Sequence, residues 1–119
     1  MVGDATTFDG VLELCRDQYR RIILAVLASE PRALTLNDLT KTIVKHNHQA
    51  SITEIANEEI NQIQLSLHHL HIPKLEQCGV IEYDPDRQLV EPTAQFDEWE
   101  PLISTIVQAD PAFDTPVEL

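Results

Sequence analysis

Several residue types and patterns are scarce in this chain, and each absence argues against a class of protein. Only two of the 119 residues are cysteines, Cys15 and Cys78, and they form no CxxC pair. We therefore interpret both as small buried hydrophobic residues and expect neither a disulfide nor a redox-sensor pair. The longest uninterrupted apolar run, residues 22–28, is 7 residues long, far short of the ~20 that a membrane-spanning helix needs.

The sequence motifs of familiar enzyme sites are also absent. The chain contains no phosphate-binding P-loop, no GxGxxG, no GxSxG and no HExxH. Serine, histidine and acidic residues occur, but no pattern arranges them as a triad, so we expect neither enzymatic activity nor a cofactor. The first four residues, Met-Val-Gly-Asp, lack the basic and apolar regions of a signal peptide. We therefore expect a cytoplasmic protein with no membrane partner.

Positive charge is scarce as well. Twenty acidic residues stand against eight lysines and arginines, which gives a net charge of −12. The excess lies mainly in residues 79–119, which hold ten acidic residues and one arginine. Such a surface repels phosphate at ordinary ionic strength, but at molar salt the Debye length falls to about 3 Å and the repulsion becomes short-ranged. The composition is therefore typical of a protein from a salt-rich cytoplasm.

The apolar periodicity of the first half of the chain predicts two helices. Residues 1–8 have no period, and we expect them to form a flexible arm. A first helix is predicted over about Asp9–Ala28, with the aspartate as N-cap and apolar residues at three- and four-residue spacing. Thr35 and Asp38 form a capping-box pattern, which opens a second helix ending near His46.

A third helix is predicted to begin between residues 53 and 57 and to end at Cys78. On a helical wheel its apolar residues form two faces about 100° or more apart: Ile60, Ile63, Leu67 and Leu70 on one, and Leu65, Ile72 and Leu75 on the other. Either this helix is buried on two sides, or Pro73 breaks it into two pieces. Both alternatives leave one narrow polar strip, which consists of Gln62, Ser66, His69, Pro73 and Glu76. We therefore expect three of these side chains to be exposed and three leucines to be buried, namely Gln62, Ser66 and His69 against Leu67, Leu70 and Leu75.

The sequence after the third helix changes from a helical to a β-like pattern. Gly79 is suited to end the helix, and a hairpin is predicted with strands over residues 80–83 and 88–91. The turn between them, residues 84–87, reads Asp-Pro-Asp-Arg, which suits a type I turn. Pro92 is predicted to end the hairpin, because proline cannot donate a hydrogen bond to a neighbouring strand.

A last helix is predicted over about Asp97–Ala109, followed by an acidic tail. Pro101 falls in the first turns of this helix, where its missing N–H costs least. The apolar stripe of the helix consists of Trp99, Leu102, Ile103, Ile106 and Val107. Residues 110–119 contain three carboxylates and two prolines, and we expect them to be disordered.

The segment that joins the third helix to the hairpin resembles a known protein family. Residues 71–84, HIPKLEQCGVIEYD, closely resemble a run in a haloarchaeal winged helix-turn-helix family of uncharacterised transcription regulators. The segment is also similar, more loosely, to the pattern of ArsR- and MarR-like regulators. The resemblance covers roughly residues 10–108. It implies a mainly α fold with a small β-hairpin, in the order α1-α2-α3-β-β-α4, for a domain of residues 9–109.

DNA binding is the function that the resemblance implies first, and the polar strip of the third helix agrees with it. Glutamine can read adenine through two hydrogen bonds, and serine or histidine can reach base edges or phosphates. The candidate DNA-binding residues are Gln62, Ser66 and His69 for bases, and Lys74 and Arg87 for phosphates. Nearby glutamates and a pI near 4.5 oppose this reading. We expect a DNA-binding transcription regulator of a halophilic archaeon, with double-stranded DNA as partner.

Two other functions remain open. A winged-helix fold can also serve as a protein-interaction or dimerisation module without DNA binding, and the number of accessible lysines and arginines near the hairpin would separate the two functions. His68 and His71 have the i, i+3 spacing of two ligands in a zinc- or nickel-sensing regulator, although packed structural histidines would give the same pattern. We assign no metal site, and no small-molecule ligand can be identified.

The last helix predicts a homodimer. Its apolar stripe lies beyond the hairpin, where three helices and the hairpin already close a winged-helix core, so the stripe needs another surface. We expect the first and last helices of two copies to pack together, with the interface formed by Trp99, Leu102, Ile103, Ile106 and Val107. The alternative is that the last helix folds back onto the first helix of its own chain.

Overall fold

A computed structural model describes residues 5–30, 32–48 and 54–111, which are mainly helical with one small antiparallel sheet. This confirms the predicted class of a mainly α chain with a small β-hairpin. The helices are α1 (Ala5–Leu14), α2 (Gln18–Ser29), α3 (Leu36–Ile43), α4 (Asn57–Ser66), α5 (Ile72–Gln77) and α6 (Ala94–Gln108). The strands are β1 (Leu34–Thr35), β2 (Ile81–Asp84) and β3 (Leu89–Pro92). No helix in the described ranges has the length and apolar content needed to cross a membrane.

The predicted first helix is in fact two helices. α1 ends at Leu14, and Asp17 caps α2, with its carboxylate accepting a hydrogen bond from the Tyr19 backbone N–H at 2.8 Å. An aspartate side chain that bonds a nearby backbone N–H competes with the helical hydrogen bonds, which explains the break. The prediction of Asp9 as N-cap is wrong, and so is that of a flexible arm over residues 5–8, which are helical. Residues 1–4 lie outside the described ranges.

Two consecutive arginines bind the backbone carbonyls at the C-terminal end of α1. Arg20 donates from Nε to the carbonyl of residue 14 at 2.8 Å and from Nη2 to that of residue 13 at 3.0 Å. Arg21 donates from Nη1 to the carbonyls of residues 15 and 16, at 2.6 and 3.1 Å. The last carbonyls of a helix have no partner within the helix, so these guanidinium groups stabilise the bend between α1 and α2. Arg21 also pairs with Asp110 beyond α6, with 2.7 Å between Nε and Oδ2.

The capping box at Thr35 is confirmed, with the side chains of Thr35 and Asp38 each bonded to the other residue's backbone N–H. α3 continues into one π-helical turn, Val44–His48. The residue just before the capping box, Leu34, belongs to a short strand that the sequence did not predict. β1 pairs with β3, so the hairpin becomes a three-stranded sheet with the order β1-β3-β2.

The hairpin itself is confirmed, one residue later than predicted. Its turn is fixed by Asp84, whose side chain accepts hydrogen bonds from the backbone N–H groups of Asp86 and Arg87 at 3.0 and 3.3 Å. Pro92 is the last residue of β3 rather than the first residue after it. The first residue of β1, Leu34, pairs with Val90, so β1 has no residue opposite Pro92. The N–H that proline lacks is therefore not needed for pairing with β1.

The predicted third helix is continuous, because a π-helical turn, Leu67–His71, joins α4 to α5. Its buried residues are Ile63, Leu67, His71, Ile72 and Leu75, and all of them except Ile72 recur at four-residue spacing. In an α-helix that spacing drifts by about 40° per step. The wider π turn absorbs part of the drift, with the Ile72 N–H bonded to the carbonyl five residues back. The helix is therefore neither broken at Pro73 nor buried on two sides.

Leu70 was predicted to be buried and is 55% exposed, and Leu65 on the same helix is 54% exposed. The predicted burial of Leu67 and Leu75 is confirmed. The error at Leu70 arises because a wheel drawn at 100° per residue ignores the extra residue that the π turn accommodates.

α6 begins at Ala94, three residues earlier than predicted, because Thr93 caps it. Pro101 therefore lies in the helix interior and not in its first turns. The helix packs against α1 and α2 of its own chain, which is the alternative arrangement given above. Ile103 and Val107 are buried there, so the premise that they lack a surface to cover them is wrong. The other members of the stripe, Trp99, Leu102 and Ile106, are half-buried and pack against the same core.

The α5 helix ends in a Schellman motif centred on Gly79. The Gly79 N–H bonds the carbonyl of Glu76 at 2.9 Å, and the Val80 N–H bonds that of Leu75 at 3.3 Å. The glycine has φ +77, in the left-handed region, and a Cβ added to it would lie 3.1 Å from the amide nitrogen of Gln95. Only glycine adopts this conformation without strain.

We expect Gly79→Ala to lower the free energy of unfolding by about 1–2 kcal/mol, because the left-handed backbone strains any residue with a Cβ. Urea denaturation in ~2 M KCl measures the change. Gln77→Ala, at an exposed position in the last turn of α5, is the matched control and should change stability by less than about 0.5 kcal/mol. Equal stabilities of the two variants would contradict the prediction.

Candidate functional site

The long helix formed by α4, the π turn and α5 presents the polar surface that the sequence predicted. Gln62, His69 and Glu76 are exposed, whereas Ser66 and Pro73 are half-buried. The predicted exposure of Gln62 and His69 is therefore confirmed, and that of Ser66 holds only in part. The remaining exposed residues of this helix are Asn57, Glu58, Glu59, Asn61, Leu65, His68, Leu70 and Gln77. The surface is thus rich in amides and imidazoles and carries acidic residues towards both ends.

A hollow of about 460 Å³ separates this helix from the hairpin. It is lined by residues of α3, α4, the π turn and the hairpin turn, namely Leu36, Asn61, Gln64, Leu65, His68 and Gln88. Gln88 takes a positive φ of 52 at the end of the turn, which is uncommon for a residue other than glycine. Residues of the long helix and of the hairpin turn thus line the same opening. We call this hollow and its six lining residues the helix–hairpin hollow.

A second hollow, of about 280 Å³, lies on the other side of α4. It is lined by Tyr19, Glu59, Gln62, Ile63 and Ser66. Burial raises the pKa of the Tyr19 phenol, and the carboxylates of Asp17 and Glu59 raise it further. The phenol is therefore neutral at physiological pH and can donate a hydrogen bond. Two predicted DNA-contacting residues, Gln62 and Ser66, thus lie beside Tyr19 rather than in the helix–hairpin hollow.

The two histidines proposed as metal ligands have different environments. His68 is exposed, and its ring lies edge-on to that of Tyr83 at 6.2 Å between ring centres. His71 is only 2% exposed and lies edge-on to Tyr19 at 5.6 Å. Among the residues that the structure describes, no group of three or more His, Cys, Asp or Glu side chains could hold a metal ion. The structure therefore does not bring His68 and His71 together as ligands.

His71 instead belongs to a buried polar contact that the sequence did not predict. Arg20, 7% exposed, lies with Nη1 3.3 Å from His71 Nδ1, and Asp17 Oδ1 lies 3.7 Å from Nε2. Burial lowers the pKa of His71 and the cation of Arg20 lowers it further, while Asp17 raises it. A neutral ring with its proton on Nε2 satisfies both neighbours, because Nδ1 then accepts from Arg20.

The two residues predicted to bind phosphate are paired with carboxylates of the same chain. Lys74 Nζ lies 3.3 Å from Glu13 Oε1, and Arg87 Nε lies 2.9 Å from Asp84 Oδ2. Hydrogen bonds from Arg16 and Lys74 lower the pKa of Glu13, and those from Arg87 lower the pKa of Asp84. Residues 57–92 contain seven carboxylates and only these two cations. The surface around the long helix is therefore negative, in contrast to a typical DNA-binding footprint.

The pKa of His71 predicts how stability depends on pH. The folded protein holds this pKa below the value near 6.5 of an unfolded chain. The unfolded state therefore binds the proton first, and the stability that is fully present above pH 6.5 is lost as the pH falls below it. We expect the thermal midpoint in ~2 M KCl to fall between about pH 7 and pH 5.5, and this fall to be smaller in His71→Gln. His69→Gln, which replaces an exposed ring, is the control and should follow the wild type. An unchanged slope in His71→Gln would contradict the assignment.

Comparison with known proteins finds a family but no function. The family model described as Domain of unknown function (DUF7344) matches residues 12–91, which extend from within α1 to the penultimate residue of β3. No curated protein and no solved structure matches the chain significantly. The matched region includes the α1–α2 bend, the long helix and the hairpin, and it covers more than half of the chain. The chain belongs to the family described as Domain of unknown function (DUF7344).

Proposed function

We propose that this chain is a winged helix-turn-helix domain that binds double-stranded DNA as a transcription regulator in a salt-rich archaeal cytoplasm. The observation that carries the proposal is the exposed row of amides and imidazoles on the long helix formed by α4, the π turn and α5, beside a hairpin that shares a hollow with it. In winged helix-turn-helix proteins one helix lies in the major groove and its side chains contact base edges. α4 and the hairpin have the roles of recognition helix and wing in this proposal.

The order of the elements supports this assignment. α3 packs against both α2 and α4, as the first helix of a helix-turn-helix pair does. β1 pairs with β3 at Leu34 and ties the sheet to the start of α3. Residues 49–53 of the connection from α3 to α4 lie outside the described ranges.

The charge of the surface determines the conditions under which DNA can bind. A DNA-binding protein normally gains affinity by neutralising phosphates with lysine and arginine, and it loses that gain as salt rises. Here Lys74 and Arg87 already pair with carboxylates, so few phosphate contacts are available. At molar salt the repulsion between carboxylates and phosphates is screened within about 3 Å. Base-edge contacts by Gln62 and His69 then supply the larger share of affinity, and binding is expected at high salt rather than low salt.

One observation favours a second function, a protein-interaction module. Residues 57–92 hold only two cations, Lys74 and Arg87, and both are paired with carboxylates, although the Arg87 side chain is 68% exposed. A DNA-binding wing normally offers more accessible lysines and arginines than this. Two large apolar side chains, Leu65 and Leu70, are also more than half exposed on the long helix. Exposed apolar residues within a polar rim are common at protein interfaces. The binding experiments below separate the two functions.

The proposal includes a homodimer, which would present two recognition helices to a pseudo-palindromic site. Of the predicted interface, Trp99, Leu102 and Ile106 remain partly accessible. The outer face of α1 adds Phe8 and Leu12, which are 46% and 41% exposed one helical turn apart. Phe8 and Leu12 would therefore bury more apolar surface in a dimer than Ile103 and Val107, which are already buried within the chain.

We expect the wild-type protein in ~2 M KCl to bind some duplex sequences more tightly than others. Gln62→Ala should change this sequence preference, because a glutamine can bond adenine through two hydrogen bonds. Selection from a random duplex pool, followed by gel shifts with the enriched sequences, measures it. The affinity for the preferred duplex should fall by about fivefold to 100-fold, as expected when a bidentate contact is lost. Gln108→Ala, an exposed glutamine on α6, is the matched control. Failure of the wild type to enrich any duplex at 0.1–3 M KCl would reject DNA binding and favour the interaction module.

Sedimentation equilibrium in ~2 M KCl tests the dimer. Wild type should sediment with twice the chain mass of 13.5 kDa, and the double variant with Phe8→Ser and Leu12→Ser should sediment as the single chain, because each exposed side chain loses its apolar contact. Leu70→Ser is the control, since it removes an equally exposed leucine from the long helix. A wild-type mass of 13.5 kDa, or a double variant that remains dimeric, would contradict this interface.

A further inference from the structure

We propose that the helix–hairpin hollow recognises A·T base pairs, with Leu65 contacting the C5-methyl group of thymine. This inference rests on the proposed DNA binding and adds a substrate preference to it. It concerns residues that the sequence reasoning did not select, because Leu65 was expected on an apolar face and Asn61 was not singled out.

The position of Leu65 is the first observation. Its side chain is 54% exposed. It lines the helix–hairpin hollow together with buried Leu36 and four hydrogen-bonding residues, Asn61, Gln64, His68 and Gln88. Asn61 precedes it by four residues and His68 follows it by three, so all three lie on one face of the helix. A single exposed leucine is ordinary on a protein surface. One that is surrounded by four hydrogen-bonding side chains at the opening of a hollow has the composition of a recognition site.

The chemistry of these side chains matches one kind of base pair. In the major groove adenine presents an acceptor at N7 and a donor at N6, which the amide of asparagine or glutamine can bond simultaneously. Thymine presents an acceptor at O4 and a methyl group, and the methyl group is contacted by apolar side chains. Asn61 or Gln64 with Leu65 therefore offers complementary groups to both members of an A·T pair.

The same inventory disfavours guanine. The commonest specific contact to guanine is a bidentate bond from arginine or lysine to O6 and N7. The helix–hairpin hollow contains neither residue, and the cations of residues 57–92 are held by Glu13 and Asp84. Glu58, about two helical turns before Leu65, is exposed and can accept a hydrogen bond from the N4 amino group of cytosine. A C·G pair can therefore be read near Glu58, and the preference for A·T applies to the pairs that face Asn61 and Leu65.

Replacement of thymine by uracil tests the contact, because it removes only the C5-methyl group and leaves base pairing unchanged. The full chain in ~2 M KCl is first used to select duplexes from a random pool, and each thymine of an enriched duplex is then replaced singly. The wild type should enrich an A·T-containing core, and at one or two positions uracil should weaken binding about fourfold. That factor corresponds to the ~0.8 kcal/mol of one buried methyl-sized group.

Two variants assign the effect to Leu65. Leu65→Ala should bind the thymine and uracil duplexes equally, while Leu70→Ala, which removes an equally exposed leucine outside the hollow, should keep the fourfold difference. Both positions are exposed, so both variants should retain the wild-type thermal midpoint, which is measured first. Asn61→Ala should reduce the preference for adenine in the same core.

The outcomes distinguish this inference from the proposed function. Enriched duplexes with a G·C core, equal affinity for thymine and uracil at every position, or a difference that persists in Leu65→Ala would each overturn the A·T assignment while leaving DNA binding intact. If no duplex is enriched, DNA binding itself is rejected and the protein-interaction module is favoured.

Discussion

The buried guanidinium of Arg20 is the contact on which the arrangement of the other elements depends. It holds the carbonyls of Glu13 and Leu14 at the end of α1 and approaches His71 in the middle of the long helix. A charge this deeply buried is tolerated only when its hydrogen bonds are satisfied, and here backbone carbonyls and one imidazole satisfy them. Arg20 therefore contributes both to the bend between α1 and α2 and to the position of the π turn. Since α4 leads into that turn, the direction of its exposed face depends on a residue far from that face.

Features controlled by short-range chemistry could be predicted from the sequence, and features controlled by long-range packing could not. The capping box at Thr35, the helix end at Gly79 and the hairpin each follow from residues within five positions of one another. The break at Asp17 cannot be predicted from the apolar period, because the period continues across the aspartate that caps α2. The four-residue spacing of positions 63, 67, 71 and 75 is present in the sequence, but it marks a buried set only once the structure shows that His71 is buried. The docking of α6 had no signal in the sequence, because nothing local states which surface an amphipathic helix covers.

For the candidate site, the sequence predicts the types of side chain on the surface better than it predicts which of them lie beside the hairpin. The amide-rich surface of the long helix was predicted, and Gln62 and His69 are exposed, but the residues that share an opening with the hairpin are others. Gln62 and Ser66 lie on the Tyr19 side, whereas Asn61, Leu65 and His68 lie on the hairpin side. The pairing of Lys74 and Arg87 with nearby carboxylates could not be read from the sequence either. Glu13 is 61 residues from Lys74, and its proximity is a result of the α1–α2 bend. The bend thus helps to orient the polar face of the long helix, and it also brings Glu13 close enough to pair with Lys74.

The ion pair between Arg21 and Asp110 indicates in which order the contacts of this chain form during folding. These two residues are 89 positions apart, and the contacts of α6 with α2 close loops almost as long. The entropy lost in closing a loop grows with its length and must be met before such contacts contribute. The Schellman motif, the capping box and the hairpin close only short loops. The contacts of α6 with α1 and α2 are therefore expected to contribute to stability after these short-range motifs have formed.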